Sequence, residues 1–316
     1  MYRHLLVPVD GTDASVEALG QAVEFAQSIG ARITFCPISD GRAAPCADAE
    51  TDTVAQLFDA DIASERLARA EAAARAQGVP CSSATSAAVP LSSLSSFAVA
   101  ARAQGCDLIC VTPQQQAPLT GTSAHAASTG GSDGFGIAVL TCAIDPRASV
   151  ARAIGMLLGG QRAIAVLVHA ALHAVRRARA SGEPHDAASL REIVVRLGAL
   201  QGPRHYSMMS ALFARLRERT STVDAELDEL ERQHRRVAHM RHELAALVAG
   251  DQASATAGVE LEDALNACAQ FTWEHMGREA GVVLPAARRY LHDADWNALS
   301  SVFAAPSTGE SLRPPA

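Results

Sequence analysis

The chain has 316 residues, 48% of them hydrophobic and only 4% aromatic, enough for about two domains whose cores are built from aliphatic side chains and alanine. Its formal net charge of -7 and pI of about 5.9 exclude a global basic footprint for nucleic acid. No apolar run reads as a bilayer span, and the opening Met1 to Asp10 is broken too soon for a signal peptide.

Residues 1 to about 142 alternate strand and helix. His4 to Val9 is a short β run ending at Asp10-Gly11-Thr12, and Ala14 to Ile29 is an amphipathic helix closed by Gly30. Arg32 to Ile38 is a second strand. After a polar loop, a long helix runs from about Asp52 to Gln77 and stops at Gly78 and Pro80. Cys81 to Ser86 is a third strand, Leu91 to Ala103 a helix, Asp107 to Val111 a fourth strand and Ile137 to Cys142 a fifth. This order implies a parallel sheet with helices on both faces. Ala143 to Val150 reads as a linker, and then the period changes. Residues 151–180, 188–218, 222–249 and 258–281 are mainly helical, with Gly202-Pro203 interrupting the second segment. Four long helices with short loops make an up-down bundle. Asp293 starts a last short helix through Trp296 and Leu299. The tail from Pro306 has the composition of disorder. The expected boundaries are 1–145, 151–303 and a 304–316 tail. The seven cysteines are scattered and odd in number, which suits reduced thiols and a cytoplasmic location.

The opening Leu5-Leu6-Val7-Pro8-Val9-Asp10-Gly11-Thr12, the alanine-rich helix after it and Ala31-Arg32-Ile33-Thr34-Phe35 resemble the universal stress protein family. Cys106 to Val111 and Ile137 to Leu140 carry the resemblance to about residue 145. It implies a doubly wound, Rossmann-like α/β domain that dimerises. Some members hold ATP on a Gly-x2-Gly-x9-Gly-Ser/Thr loop, because glycine lets backbone N–H groups approach phosphates. Here Asp10 is kept and Gly121-Thr122 supplies the last pair. The earlier glycines fall on Leu108 and Val111, while Pro113 and Pro118 remove donors. Asp10, Gly121 and Thr122 are the nucleotide candidates, and the expectation is a scaffold without nucleotide.

Gln233-His234, then Phe271-Thr272-Trp273-Glu274-His275 with Leu284-Pro285, and Tyr290 to Trp296 resemble the hemerythrin-like HHE cation-binding family over roughly 154–303. That resemblance implies a site with a histidine from each helix and bridging carboxylates, suited to two iron ions. Carried over residue by residue, the helix-one ligand becomes Gln161 and the helix-two pair becomes Arg204 and Met208, whereas His234, His275 and Glu279 survive. His205 lies one residue from Arg204, about 100° around the helix, and is expected to face away. Arg204 is expected to replace the metal by pairing with Glu279. His169 and His173 read as satisfied or half-exposed helix histidines.

The function expected is a cytoplasmic, stress-associated, non-enzymatic homodimer without cofactor, nucleic acid or membrane partner, its bundle serving as a sensing or interaction module for an unknown protein. The alternatives are a metal- or oxygen-linked sensor with a single iron ion on His234, His275 and Glu279, and an iron-repair protein.

Overall fold

The computed structural model describes residues 2–39, 49–84, 89–90, 94–116, 136–182, 185–250 and 255–304. Six strands are present: β1 (His4–Val9), β2 (Arg32–Ser39), β3 (Cys81–Ser83), β4 (Val89–Pro90), β5 (Leu108–Val111) and β6 (Ala138–Thr141). All pairings are parallel, in the order β3-β2-β1-β5-β6, with β4 following β3 along β2. Every residue of β1 and β5 is buried, as a sheet covered on both faces requires. Helices α1 (Asp13–Ile29) and α2 (Ala49–Ala76) cover one face. Helix α3 (Leu94–Ala103) covers the other. A short α4 (Pro113–Gln116) follows β5, where the sequence reads as loop. Thr12 caps α1 by accepting from the Ser15 backbone N–H, and Gly30 ends it at φ 67°, the left-handed conformation glycine tolerates.

The second half is helical: α5 (Ala148–Ser181), α6 (Ala187–Leu200), α7 (Pro203–Arg219), α8 (Asp224–Ala249), α9 (Ala255–Arg278), α10 (Leu284–Tyr290) and α11 (Asp293–Ala304). The second arm of the bundle is two helices. Gly202 leaves helical geometry at ψ -154°, and α7 restarts on Pro203. Between α9 and α10 lies one π-helical turn, Glu279–Val283. Helix α5 is long and apolar enough by length and composition to cross a membrane, which corrects the reading that no run is. More than half of that window is buried in the bundle.

Helix α2 belongs to both halves. Ala70, Ala73 and Ala74 pack with the sheet side, while Ala72 meets α9, and all four are fully buried. Between these two faces Glu71 and Arg75 keep a narrow polar edge. A Cβ on Gly277 would collide with the Arg69 carbonyl oxygen and lie 2.6 Å from Ala72 Cβ; one on Gly281 would lie 2.5 Å from Ala73 Cβ. Pro285 has no N–H to offer the Gly281 carbonyl, and Gln77 of α2 donates to it instead at 2.5 Å. The buried Arg288 of α10 pairs with Glu17 of α1 at 3.0 Å. The segment before α5 is tied down as well: the Asp145 backbone N–H donates to Glu17, and Arg147 binds Asp145 at 2.6 Å. The two patterns in the sequence therefore share one packed interface.

That interface yields a direct test. Gly277→Ala places a methyl against backbone that cannot yield, so it is expected to cost about 1–3 kcal/mol. Urea unfolding of the variant should show a lowered midpoint; an unchanged midpoint would mean that α2 and α9 do not meet this closely.

Candidate metal centre

The bundle core has two apolar layers. One gathers Leu157, Leu158, Met208, Leu230 and Val283; the other gathers Ile164, Leu197, Leu244 and Met276. Between them each arm turns inward a polar side chain: Gln161 from α5, His205 from α7, Gln233 and His234 from α8, and His275 and Glu279 from α9 and the π turn. Glu279 is 2% exposed and His275 5%. An isolated charge at that depth is untenable without a partner.

The Nε2 atoms of His275, His234 and His205 lie 3.1, 3.9 and 4.0 Å from Glu279 Oε1. His275 Nε2 is also 3.1 Å from His234 Nε2. One ligand atom from each of the four residues falls within 4.8 Å of the others. Four ligands about 2.0–2.1 Å from one ion stand roughly 3.3 Å apart, close to this spacing.

The surrounding hydrogen bonds set the lone pairs. Glu229 accepts from Gln233 Nε2 at 2.9 Å, which turns the Gln233 oxygen toward His275 Nδ1 at 3.1 Å. Nδ1 is thus the donor, and a neutral His275 ring aims its bare Nε2 at Glu279 and His234. Glu279 Oε1 has no hydrogen-bond partner, although buried. Its other oxygen, Oε2, accepts from Gln161 Nε2 at 2.7 Å. Gln161 Oε1 in turn accepts from Arg69 of α2 at 2.7 Å. Arg69 pairs with Glu65 at 3.1 Å, and Glu65 with His169 at 2.8 Å. His169 stacks on Trp273, which places it in the bundle core with Nε2 on Glu65. His239 and His242 are exposed, away from the centre.

A cavity of about 360 Å³ opens on the cluster, lined by Gln161, His205, His234, His275 and Glu279 at its base and by apolar side chains including Ile164, Val237 and Met276. Arg235 and Arg241 also line it.

One expectation needs correction. His205 faces in, because Gly202 breaks the second arm and α7 begins with a fresh rotational phase at Pro203. Phase extrapolated from a motif through that break is off by a residue. The side chain of Arg204 lies outside the described residues. The described neighbours of Glu279 are Gln161 at Oε2 and three imidazoles around Oε1. The nucleotide candidates fare differently. Gly121 and Thr122 lie outside the described residues. Asp10 accepts from the Thr12 backbone N–H and hydroxyl and from Gln115 Nε2, so the chain's own donors satisfy it. Arg66 donates to the Ile38 carbonyl beside Gly11, and the cavity lined by Val9, Gly11, Ser15 and Arg66 measures about 30 Å³.

Family models match the chain in two places: universal stress protein family over residues 1–124, and hemerythrin HHE cation binding domain over 162–287. The chain is a fusion of these two domains. The universal stress half is also similar to a solved structure, a protein from the universal stress protein family from Burkholderia pseudomallei, at 22% identity. The match covers 45% of this chain and 96% of that one, with a TM-score of 0.33. The search among curated proteins finds no match. The HHE domain thus keeps a four-residue ligand cluster while carrying Gln161 on its first helix.

Protonation follows from this geometry. Burial pushes the His234 imidazole down to about 3, with His275 adding to the shift, and burial lowers His205 too. Burial alone would raise the Glu279 carboxyl, but the positive charge its imidazole neighbours can carry, His275 foremost, holds it at about 2. The unfolded chain protonates His234 near 6.5 and the folded chain only near 3, so unfolding takes up a proton between those values. Glu279 acts in the same direction between 4.5 and about 2. Metal-free protein should therefore lose stability as pH falls below 6.5, by roughly 1.4 kcal/mol per pH unit for each such histidine. Urea titrations of chelator-treated protein at pH 7.5, 6 and 5 test this; equal stability at all three contradicts the buried neutral imidazole.

Proposed function

We propose that the fusion is a cytoplasmic, non-enzymatic, metal-linked sensor, in which the HHE domain holds one ion and the universal stress domain reads its state. The observation that carries this is the facing of His275 Nε2 and Glu279 Oε1, 3.1 Å apart, with His234 Nε2 equally close to the imidazole. A carboxylate and three imidazoles converging in a buried site suit a shared cation, and that donor set suits iron among the divalent metals. When bound, the ion would supply a coordination position open to the cavity, where a small ligand could report a chemical signal. The chain's own residues fix the ligands: Gln233 sets the His275 tautomer, Gln161 holds Glu279 through one oxygen, and the apolar wall limits water.

Two further features support the reading. The six described cysteines are free thiols, in keeping with a reducing compartment. At the sheet edge, Val139 and Leu140 of β6 are 37% and 36% exposed, an apolar edge that suits a homodimer; Val139→Lys is expected to shift the species seen by light scattering from dimer to monomer.

Metal analysis decides the main point. Protein from iron-supplemented cells should carry about one ion per chain. His205→Ala, His234→Ala and His275→Ala should each lose most of it. Full retention in His205→Ala would remove that residue from the set, and an empty wild-type protein after anaerobic loading would end the sensor reading.

A further inference from the structure

Glu279 has two carboxylate oxygens with different fates. Oε1 faces the imidazoles, and Oε2 is taken by the Gln161 amide. A carboxylate whose second oxygen is free can bridge to a second cation, and buried carboxylates are used in this way in di-metal bundles. Here that oxygen receives a hydrogen-bond donor instead. The amide of glutamine has nearly the same shape whichever end points inward. Turned one way it presents N–H to Oε2 and repels a cation. Turned the other it presents a carbonyl oxygen and would help to hold one. In the metal-free protein the ionised Oε2, an acceptor, favours the first; a cation beside it would favour the second.

Arg69 locks the first orientation from the other end of the amide, so that a cation cannot turn it. A guanidinium has five N–H donors and no acceptor, so the Gln161 atom it touches must be oxygen. Arg69 Nη2 lies 2.7 Å from Gln161 Oε1, and Gln161 Nε2 lies 2.7 Å from Glu279 Oε2. Gln161 is 3% exposed and the Arg69 side chain 11%. The contact is sealed from water and the amide has no competing partner in bulk. Glu65 fixes the guanidinium from the far side at 3.1 Å. Arg69 also brings a permanent positive charge within one side chain of the place where a second cation would sit.

We propose that Arg69, a residue of the universal stress domain, restricts the HHE domain to a single metal ion by fixing the orientation of Gln161. It is a positioning residue: it touches neither the ion nor its ligands. This rests on the mononuclear reading above and adds to it a cause that lies in the other domain. The metal count of the bundle is then set across the domain interface.

The test measures metal per chain in the full-length protein, loaded anaerobically with Mn(II) and freed of excess. Manganese also allows EPR to separate an isolated ion from a spin-coupled pair. Wild type and Arg69→Lys, which keeps the donor and the charge, are expected to hold one isolated ion. Arg69→Met frees the amide to turn and is expected to raise the content toward two ions, with a coupled EPR signal. Gln161→Glu keeps Arg69 paired and the packing intact, and removes the donor from Oε2. It should show the same twofold rise, and it serves if Arg69→Met does not fold. One isolated ion in wild type and in Gln161→Glu overturns the proposal while leaving the mononuclear site standing. No ion in any of these proteins removes the site and the proposal together. Two ions in wild type also overturns it.

Discussion

The carboxylate of Glu279 is the constraint on which the centre depends. It is 2% exposed, in the middle of a bundle whose layers above and below are aliphatic. A charge so little exposed must find compensation within a few ångströms. The chain provides that compensation asymmetrically. One oxygen meets a fixed amide donor, and the other meets nitrogen atoms whose lone pairs also need an electrophile. A proton shared among the imidazoles meets the need in part; a divalent ion meets it for all four groups at once. The same pull toward positive charge explains why the polar side chains collect in one layer and why that layer continues through Arg69 and Glu65 into α2.

The position of Glu279 also depends on backbone geometry. It opens a π-helical turn, a feature that recurs at functional sites because it re-aims the side chains around it. That turn is held from outside the bundle. Glycines 277 and 281 let α2 approach until only hydrogen fits between the chains. Gln77 takes the carbonyl that Pro285 leaves unbonded. On the other side, a Cβ added to Gly20 of α1 would lie 2.8 Å from Pro285. The universal stress domain thus walls the candidate metal centre, and any shift of α2 moves the residue that holds Gln161.

Much of this was legible in the sequence, at different distances from the chemistry. Strand and helix periods gave β1, α1, α2 and the four bundle arms nearly to their ends, because each pattern is local. His234, His275 and Glu279 were found by motif, since α8 runs unbroken past His234 and the π turn begins only at Glu279. His205 was misplaced by a single residue because Gly202-Pro203 resets the helix phase, and phase beyond a break cannot be counted through it. Gln161 was read as a lost ligand, which is true of its atoms as donors to metal and silent about its role as donor to Glu279. Arg69 carried no signal at all. It acts on a residue 92 positions away, across a boundary where the period of the sequence changes, and only the packing of α2 against α9 brings it there.

The central claim is that one ion is held by three imidazoles and a single carboxylate oxygen. X-ray absorption on the iron-loaded, full-length protein observes that shell directly. The expected spectrum shows scattering from about three imidazole rings and at least one oxygen near 2.0–2.2 Å, typical of such ligands, with no metal–metal vector. A vector at about 3.5–4 Å, the spacing of paired metal ions, or a shell with fewer than two imidazoles, would contradict it.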